Sequence, residues 1–148
     1  MKPKVPATQE DLIYLLTGRT FVALGRALQR NFKAGGVDLS QEQWTLLAEL
    51  WKEEDITQHE LALRTYRDKP AVTRLLDNLE KKRLVLRTGD KNDRRVNLIS
   101  LTPEGKDLQK LATETVNRTI SEAVEGLTEQ DLVHFKAIMY RVFENLNR

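Results

Sequence analysis

Apolar residues recur along most of this chain with the 3.6-residue period of amphipathic helices. Between positions 8 and 33, Leu12, Leu15, Leu16, Val22, Ala23 and Ala27 define one apolar side, widened by Ile13, Phe21, Leu24 and Leu28. The pattern predicts one helix from Thr8 as N-cap to about Lys33, stopped by Gly35–Gly36. A helix apolar over more than half its circumference needs cover on two sides. Gly18 and Gly25 fall inside it, each at a cost of about 1 kcal/mol against alanine. Met1–Ala7, with Pro3 and Pro6, reads as an extended tail. A second helix starts at Ser40 and Gln43, which form a capping box. It repeats Trp44, Leu47, Ala48 and Trp51 and closes over Glu53–Asp55.

The stretch Ile56–Leu101 carries a different pattern. Thr57 and Glu60 make a T-x-x-E capping box, with Ile56 and Leu61 placed as a hydrophobic staple. The chain breaks around Tyr66–Arg67–Asp68 and starts again with Asp68 as N-cap and Pro70 in the first turn. Val72, Leu75, Leu76 and Leu79 recur at i, i+3, i+4 and i+7, which leaves Thr73, Arg74 and Asn78 pointing outward. Two helices joined by a short turn, the second polar and basic near its start, match a helix-turn-helix. Two β-rich runs follow, Leu84–Arg87 and Val96–Leu101. The loop Thr88–Arg95 between them is polar, too long for a two-residue turn, and holds Lys91, Arg94 and Arg95. A hairpin with cations at its tip suits a phosphate backbone or a narrow minor groove. Placed directly after a helix-turn-helix, it reads as a wing.

Thr102 and Pro103 then begin a long helix with Leu108, Leu111, Ala112, Thr115, Val116, Ile120, Ala123 and Val124 as its stripe, ended by Gly126. Thr128 begins the last helix, with Leu132, Phe135, Met139, Phe143 and Leu146 on one face. The winged core is complete before Thr102, so these helices and the first have little left to cover within one protomer. A homodimer joined through the terminal helices is the economical reading.

The net charge of +2 names no partner, but its distribution does. From Arg64 to Arg95 there are 11 Lys and Arg against 5 Asp and Glu, and the remainder holds 13 against 17. The excess of positive charge lies on the motif expected to touch nucleic acid.

The run T-Q-x-E-L-A, then D-x-x-x-V-T-R-L-L-D-x-L-E-K-K, L-V-x-R, D-R-R and L-T-x-x-G resembles the MarR (multiple antibiotic resistance regulator) family of dimeric bacterial transcription regulators. The motifs span Thr57 to Gly105, and the flanking helices fit the family in length and order. Arg83 stands where the family usually has glycine after the recognition helix. It must adopt a left-handed conformation there or end the helix differently. The resemblance implies a mainly α chain with a small β-hairpin wing. The winged helix-turn-helix core spans 40–101, and the flanking dimerisation helices span 8–34 and 103–147 of a single 148-residue domain. It implies a regulator, a repressor by expectation, that binds a pseudo-palindromic duplex operator as a homodimer.

In that reading Lys69, Pro70, Ala71, Thr73 and Arg74 come closest to base edges and phosphates, with Asn78 further along. Arg74 is the best candidate for direct readout, because a guanidinium can bond two acceptors of guanine. Lys69 suits a phosphate at the helix N-terminus. Arg95 resembles the family's minor-groove arginine, with Asp93 holding it, Arg94 on the backbone and Lys91 nearby. The family also implies a cleft between dimerisation helices and winged core for a small aromatic or anionic effector. Tyr14, Arg19, Trp44 and Trp51 are candidate liners, and core packing accounts equally well for all but Arg19.

Other classes have less to draw on. No H-E-x-x-H, G-x-S-x-G or P-loop pattern is present. His59 and His134 lack a third ligand, so neither a catalytic site, a metal site nor a cofactor is expected. With no cysteine, thiol-based peroxide sensing is excluded. No stretch approaches the ~20 apolar residues of a membrane span, and the first residues lack a secretory h-region. Cytoplasmic residence is the expectation. The rival reading is a winged-helix module that binds protein rather than DNA.

Overall fold

The computed structural model describes residues 8–148. The tail expected over Met1–Ala7 lies outside them. In chain order the elements are α1 (Gln9–Thr17), α2 (Arg19–Ala34), α3 (Gln41–Lys52), β1 (Ile56–Thr57), α4 (Gln58–Arg64), α5 (Lys69–Lys81), β2 (Val85–Gly89), β3 (Asn97–Leu101), α6 (Pro103–Ala123) and α7 (Glu129–Leu146). The strands form one antiparallel sheet in the order β1-β3-β2.

Several expectations need correction. The first helix is two helices, not one. At Gly18 the backbone leaves the helical region (φ 169, ψ −25) before α2 resumes. Gly18 is a weak helix former, and nothing lies within 4 Å of where a Cβ would stand. A side chain at this position would find no neighbour among the described residues to hold it helical. The capping box at Thr57 is half made. Thr57 accepts from the Glu60 amide at 3.0 Å, but the Glu60 carboxylate turns forward to Arg64 at 2.9 Å. The residues before α4 are also a strand, since Ile56 and Thr57 pair with Ile99 and Leu98 of β3. Two residues are too few for a period-2 pattern to show.

The remaining start and stop signals act as the residues dictate. Ser40 with Gln43 and Thr128 with Asp131 form reciprocal capping boxes. Asp68 accepts from the Ala71 amide at 2.8 Å, and Thr102 accepts from the Gly105 amide at 2.9 Å. At the end of α5 the Arg83 amide donates to Glu80 O and the Leu84 amide to Leu79 O, a Schellman ending. Arg83 occupies the left-handed position at φ 59, where L residues are strained.

The core gathers Leu28 and Phe32 of α2, Leu46, Leu47 and Leu50 of α3, Leu61 of α4, Val72, Leu76 and Leu79 of α5, Val85 and Ile99 of the sheet, and Ala112 and Val116 of α6. Leu111 and Ile120, placed on the α6 stripe by periodicity, are exposed, and Thr119 is buried instead. Thr115 and Thr119 tolerate burial because each hydroxyl donates to the carbonyl one turn earlier.

Gly105 is the tightest point. A Cβ there would stand 2.1 Å from the carbonyl oxygen of Leu84. The same carbonyl accepts from the Thr102 amide at 3.1 Å, and the Thr102 hydroxyl donates to Arg83 O at 2.6 Å. Trp51 Nε1 donates to Gly105 O at 2.9 Å. The start of α6 is thus pressed onto the residues that join α5 to the wing.

No residue of α1 or α7 is buried. Leu12, Ile13, Leu15 and Leu16 of α1 and Val133, Phe135, Ile138, Tyr140 and Leu146 of α7 are exposed. Phe143 meets the ring of Tyr66, in the turn between α4 and α5, edge-on at 5.0 Å.

Two substitutions test this account. Gly105→Ala is expected to lower the unfolding free energy by about 3 kcal/mol, the upper range for overpacking against a rigid neighbour. Arg83→Gly is expected to raise it by about 1 kcal/mol through relief of the left-handed residue. Urea unfolding followed by circular dichroism measures both.

Candidate nucleic-acid interface

α4, the turn and α5 form the helix-turn-helix, and β2 with β3 forms the wing. The buried face of α5 consists of Val72, Leu75, Leu76 and Leu79. Lys69, Pro70, Thr73, Arg74 and Asn78 are consequently exposed, while Ala71 is half-buried behind the Asp68 cap. At the wing tip Lys91, Asp93, Arg94 and Arg95 are all exposed. Lys69, Arg74, Lys91, Arg94 and Arg95 have no ion pair among the described residues. Their charge is available to an outside partner.

The wing tip is shaped by its own polar groups. Asp90 Oδ1 accepts from the Asn92 amide and Asp93 Oδ1 from the Arg95 amide, each at 2.9 Å, as Asx turns. The hairpin closes by Asp90 N to Val96 O at 2.9 Å and Val96 N to Asp93 O at 3.1 Å. Asp93 thus holds Arg95 through its backbone amide, and the Arg95 guanidinium has no ion pair among the described residues.

A cleft of about 330 Å³ separates the wing from the two helices, lined by Thr57, Gln58, His59, Lys69, Thr73, Arg95, Val96 and Asn97. The structure thereby brings Lys69, Thr73 and Arg95 together across 26 positions of sequence. Gln58 and His59 were not among the expected residues. Both lie at the start of α4, and no periodicity in one sequence shows which later residues they will face. His59 is exposed and lines the same cleft as Lys69 and Arg95.

Arg87, which closes the L-V-x-R motif, takes a role that the motif alone does not show. Its Nη1 lies 2.7 Å from both Asp77 Oδ1 and Glu80 Oε2, and its Nη2 donates to Thr73 O at 3.1 Å. Its own amide donates to Glu80 Oε1 at 3.3 Å. One guanidinium of the first wing strand therefore grips three points along α5. The acidic pair at i and i+3 on α5, followed by a lone arginine in a strand, was the available signal. At the far end of α5, Lys82 Nζ donates to Asp38 O at 2.9 Å and Gln43 Oε1 at 3.0 Å.

The candidate effector residues fall into two settings. Tyr14 is exposed with the Arg19 guanidinium 5.4 Å above its ring, at the junction of α1 and α2. Trp44 and Trp51 pack on the core, and Trp51 is held by Gly105. Among the described residues no group of His, Asp and Glu could hold a metal ion, and no helix is long and apolar enough to cross a membrane.

A helix-turn-helix followed by a basic hairpin, with free cations on both and a cleft between, defines a winged helix-turn-helix protein. Residues 39–96 match the family model described as MarR family. A transcriptional regulator designated PA3341 is 30% identical, covers 92% of this chain and 99% of its own, and superposes with a TM-score of 0.75. The organic hydroperoxide resistance transcriptional regulator of Bacillus subtilis is 29% identical over 131 residues, 85% of this chain and 86% of the relative. MepR of S. aureus, solved in complex with DNA, is 25% identical over 93% of this chain and 98% of its own, with a TM-score of 0.80. This chain belongs to the MarR family of transcriptional regulators.

Arg87→Gln is expected to reduce stability by roughly 1–2 kcal/mol, since two charged partners lose a shared donor near the surface. Amide hydrogen exchange should rise in β2 and at the wing tip while α6 is unchanged. Equal exchange across the whole chain would refute a local brace.

Proposed function

We propose that this chain binds duplex DNA sequence-specifically as a homodimer and represses transcription from a pseudo-palindromic operator in the cytoplasm. The observation that carries the reading is the pairing of free cations on two elements. Lys69 and Arg74 lie on the recognition helix, Lys91, Arg94 and Arg95 lie on the wing, and Lys69 and Arg95 flank one cleft. An α-helix fits the major groove, and an arginine-tipped hairpin fits the adjacent minor groove. Arg74 reads a base edge, Lys69 and Arg94 take phosphates, and Arg95 enters the minor groove.

The dimer is supported by α1 and α7, which bury no residue among the described residues and leave Leu12, Ile13, Leu15 and Leu16 of α1 and Val133, Phe135, Ile138 and Tyr140 of α7 exposed. Residues 8–34 and 103–147 act as the dimerisation helices around the core at 40–101. A two-fold axis through them presents two recognition helices to sites about one helical turn apart. A small aromatic or anionic ligand releases the operator if it binds the DNA-incompetent arrangement better. The organic hydroperoxide regulator is a relative, but without a cysteine this chain has no thiol with which to sense peroxide.

Selection from random duplex DNA, then gel-shift titration of the selected site, tests the reading. Arg95→Ala is expected to weaken binding by at least ~1 kcal/mol, and Lys69→Ala to reduce the salt slope by about 1. Footprinting should show two half-sites, and sedimentation should show twice the 17.1 kDa chain mass. Failure to bind any duplex at low salt would favour a winged-helix module that recognises protein.

A further inference from the structure

We propose that Gln58 determines specificity: its side-chain amide fixes the hydroxyl of Thr73 as a hydrogen-bond donor toward the DNA bases. The inference rests on the DNA-binding reading above.

Gln58 is the first residue of α4, and its Nε2 donates to Thr73 Oγ1 at 2.6 Å. This bond changes what Thr73 can do. A threonine inside a helix commonly turns its hydroxyl back to the carbonyl one turn earlier. Thr115 does so to Leu111 O and Thr119 to Thr115 O, each at 2.8 Å. Thr73 makes no such bond, and no acceptor among the described residues takes its proton. Its carbonyl is held separately by Arg87 Nη2 at 3.1 Å. Thr73 is thus gripped from α4 through the hydroxyl oxygen and from β2 through the backbone, with its side chain exposed at the cleft.

A hydroxyl has one proton to give and two lone pairs. With an amide N–H on one lone pair, the proton remains for an outside acceptor. In the major groove guanine offers N7 and O6, adenine N7 and thymine O4, whereas cytosine offers only its N4 amino donor. A Thr73 hydroxyl set as donor therefore rejects cytosine at the position it faces. The opposite setting arises if a side chain at position 58 accepts the Thr73 proton. The hydroxyl then shows only lone pairs outward, and cytosine becomes a good partner.

The experiment selects sites from random duplex DNA with the full-length wild type and with Thr73→Val, Gln58→Ala and Gln58→Glu. Thermal unfolding confirms that each variant folds. Thr73→Val identifies the base position, where its discrimination disappears. At that position the wild type should disfavour cytosine by roughly tenfold. Gln58→Ala should lose most of that discrimination and keep its affinity for non-specific duplex within about twofold, because no phosphate charge contact is removed. Gln58→Glu, whose carboxylate can only accept, should enrich cytosine or adenine there.

The outcomes separate the two claims. A wild type that binds no duplex overturns the DNA reading itself. A wild type that selects a defined site, with Gln58→Ala and Gln58→Glu retaining the same base preference, overturns the role of Gln58 and leaves DNA binding intact. A uniform loss of affinity without a changed preference also overturns it, because it marks Gln58 as a phosphate contact. Identical selection by wild type and Gln58→Glu overturns the donor assignment, because it means the wild-type amide presents its oxygen.

Discussion

The guanidinium of Arg87 joins two elements that share no backbone hydrogen bonds. Beyond the short link that joins them, a helix and a neighbouring strand keep their relative pose through side chains, and a few degrees of tilt at the strand move the end of a hairpin by about an ångström. Arg87 answers this with a planar fork whose donors reach Asp77, Glu80 and the carbonyl of Thr73. Two carboxylates this close would repel each other without the cation between them. A lysine could neutralise the charge, but its three donors sit on one nitrogen and cannot reproduce the spread of Nη1 and Nη2 across these partners. This junction braces the first strand of the wing against the recognition helix.

A second constraint works through the backbone. The carbonyl of Leu84 lies so close to Gly105 that only hydrogen fits between them. The contact fastens α6 to the end of the recognition helix and the root of the wing. Trp51 adds a bond from α3 to the same glycine. The DNA-facing elements are thereby tied to the longest helix of the chain, whose Ala112 and Val116 belong to the common core. Most of the large apolar side chains left in solvent lie on α1 and α7, with Phe21, Val22, Leu63, Tyr66, Leu86, Leu111, Ile120 and Leu127 exposed elsewhere.

Much of this was legible because it is local. The caps at Ser40, Asp68, Thr102 and Thr128 depend on residues three positions apart, and the buried face of α5 follows from its spacing alone. The family motifs likewise lie in consecutive runs. The failures have a shared physical origin. Glu60 left its capping box for Arg64, because a carboxylate with two reachable partners takes the charged one. Gly18 broke a helix whose apolar pattern ran straight through it. The strand at Ile56–Thr57 exists only because β3 lies beside it. Gln58 and Arg87 owe their importance to partners 15 and 14 residues away in Thr73, a residue that sequence marked for its exposure and not for its neighbours. Periodicity reports which face a side chain takes. It does not report what waits on that face.

The edge-on contact between Tyr66 and Phe143 gives the C-terminal helix a lever on the DNA-binding half of the molecule. Tyr66 sits in a left-handed conformation at φ 53, in a turn with little slack, and two residues later the cap of the recognition helix begins. Through this ring pair α7 meets the elbow that opens the recognition helix. Whatever clasps the far side of α7 therefore comes to lie one aromatic contact away from that elbow.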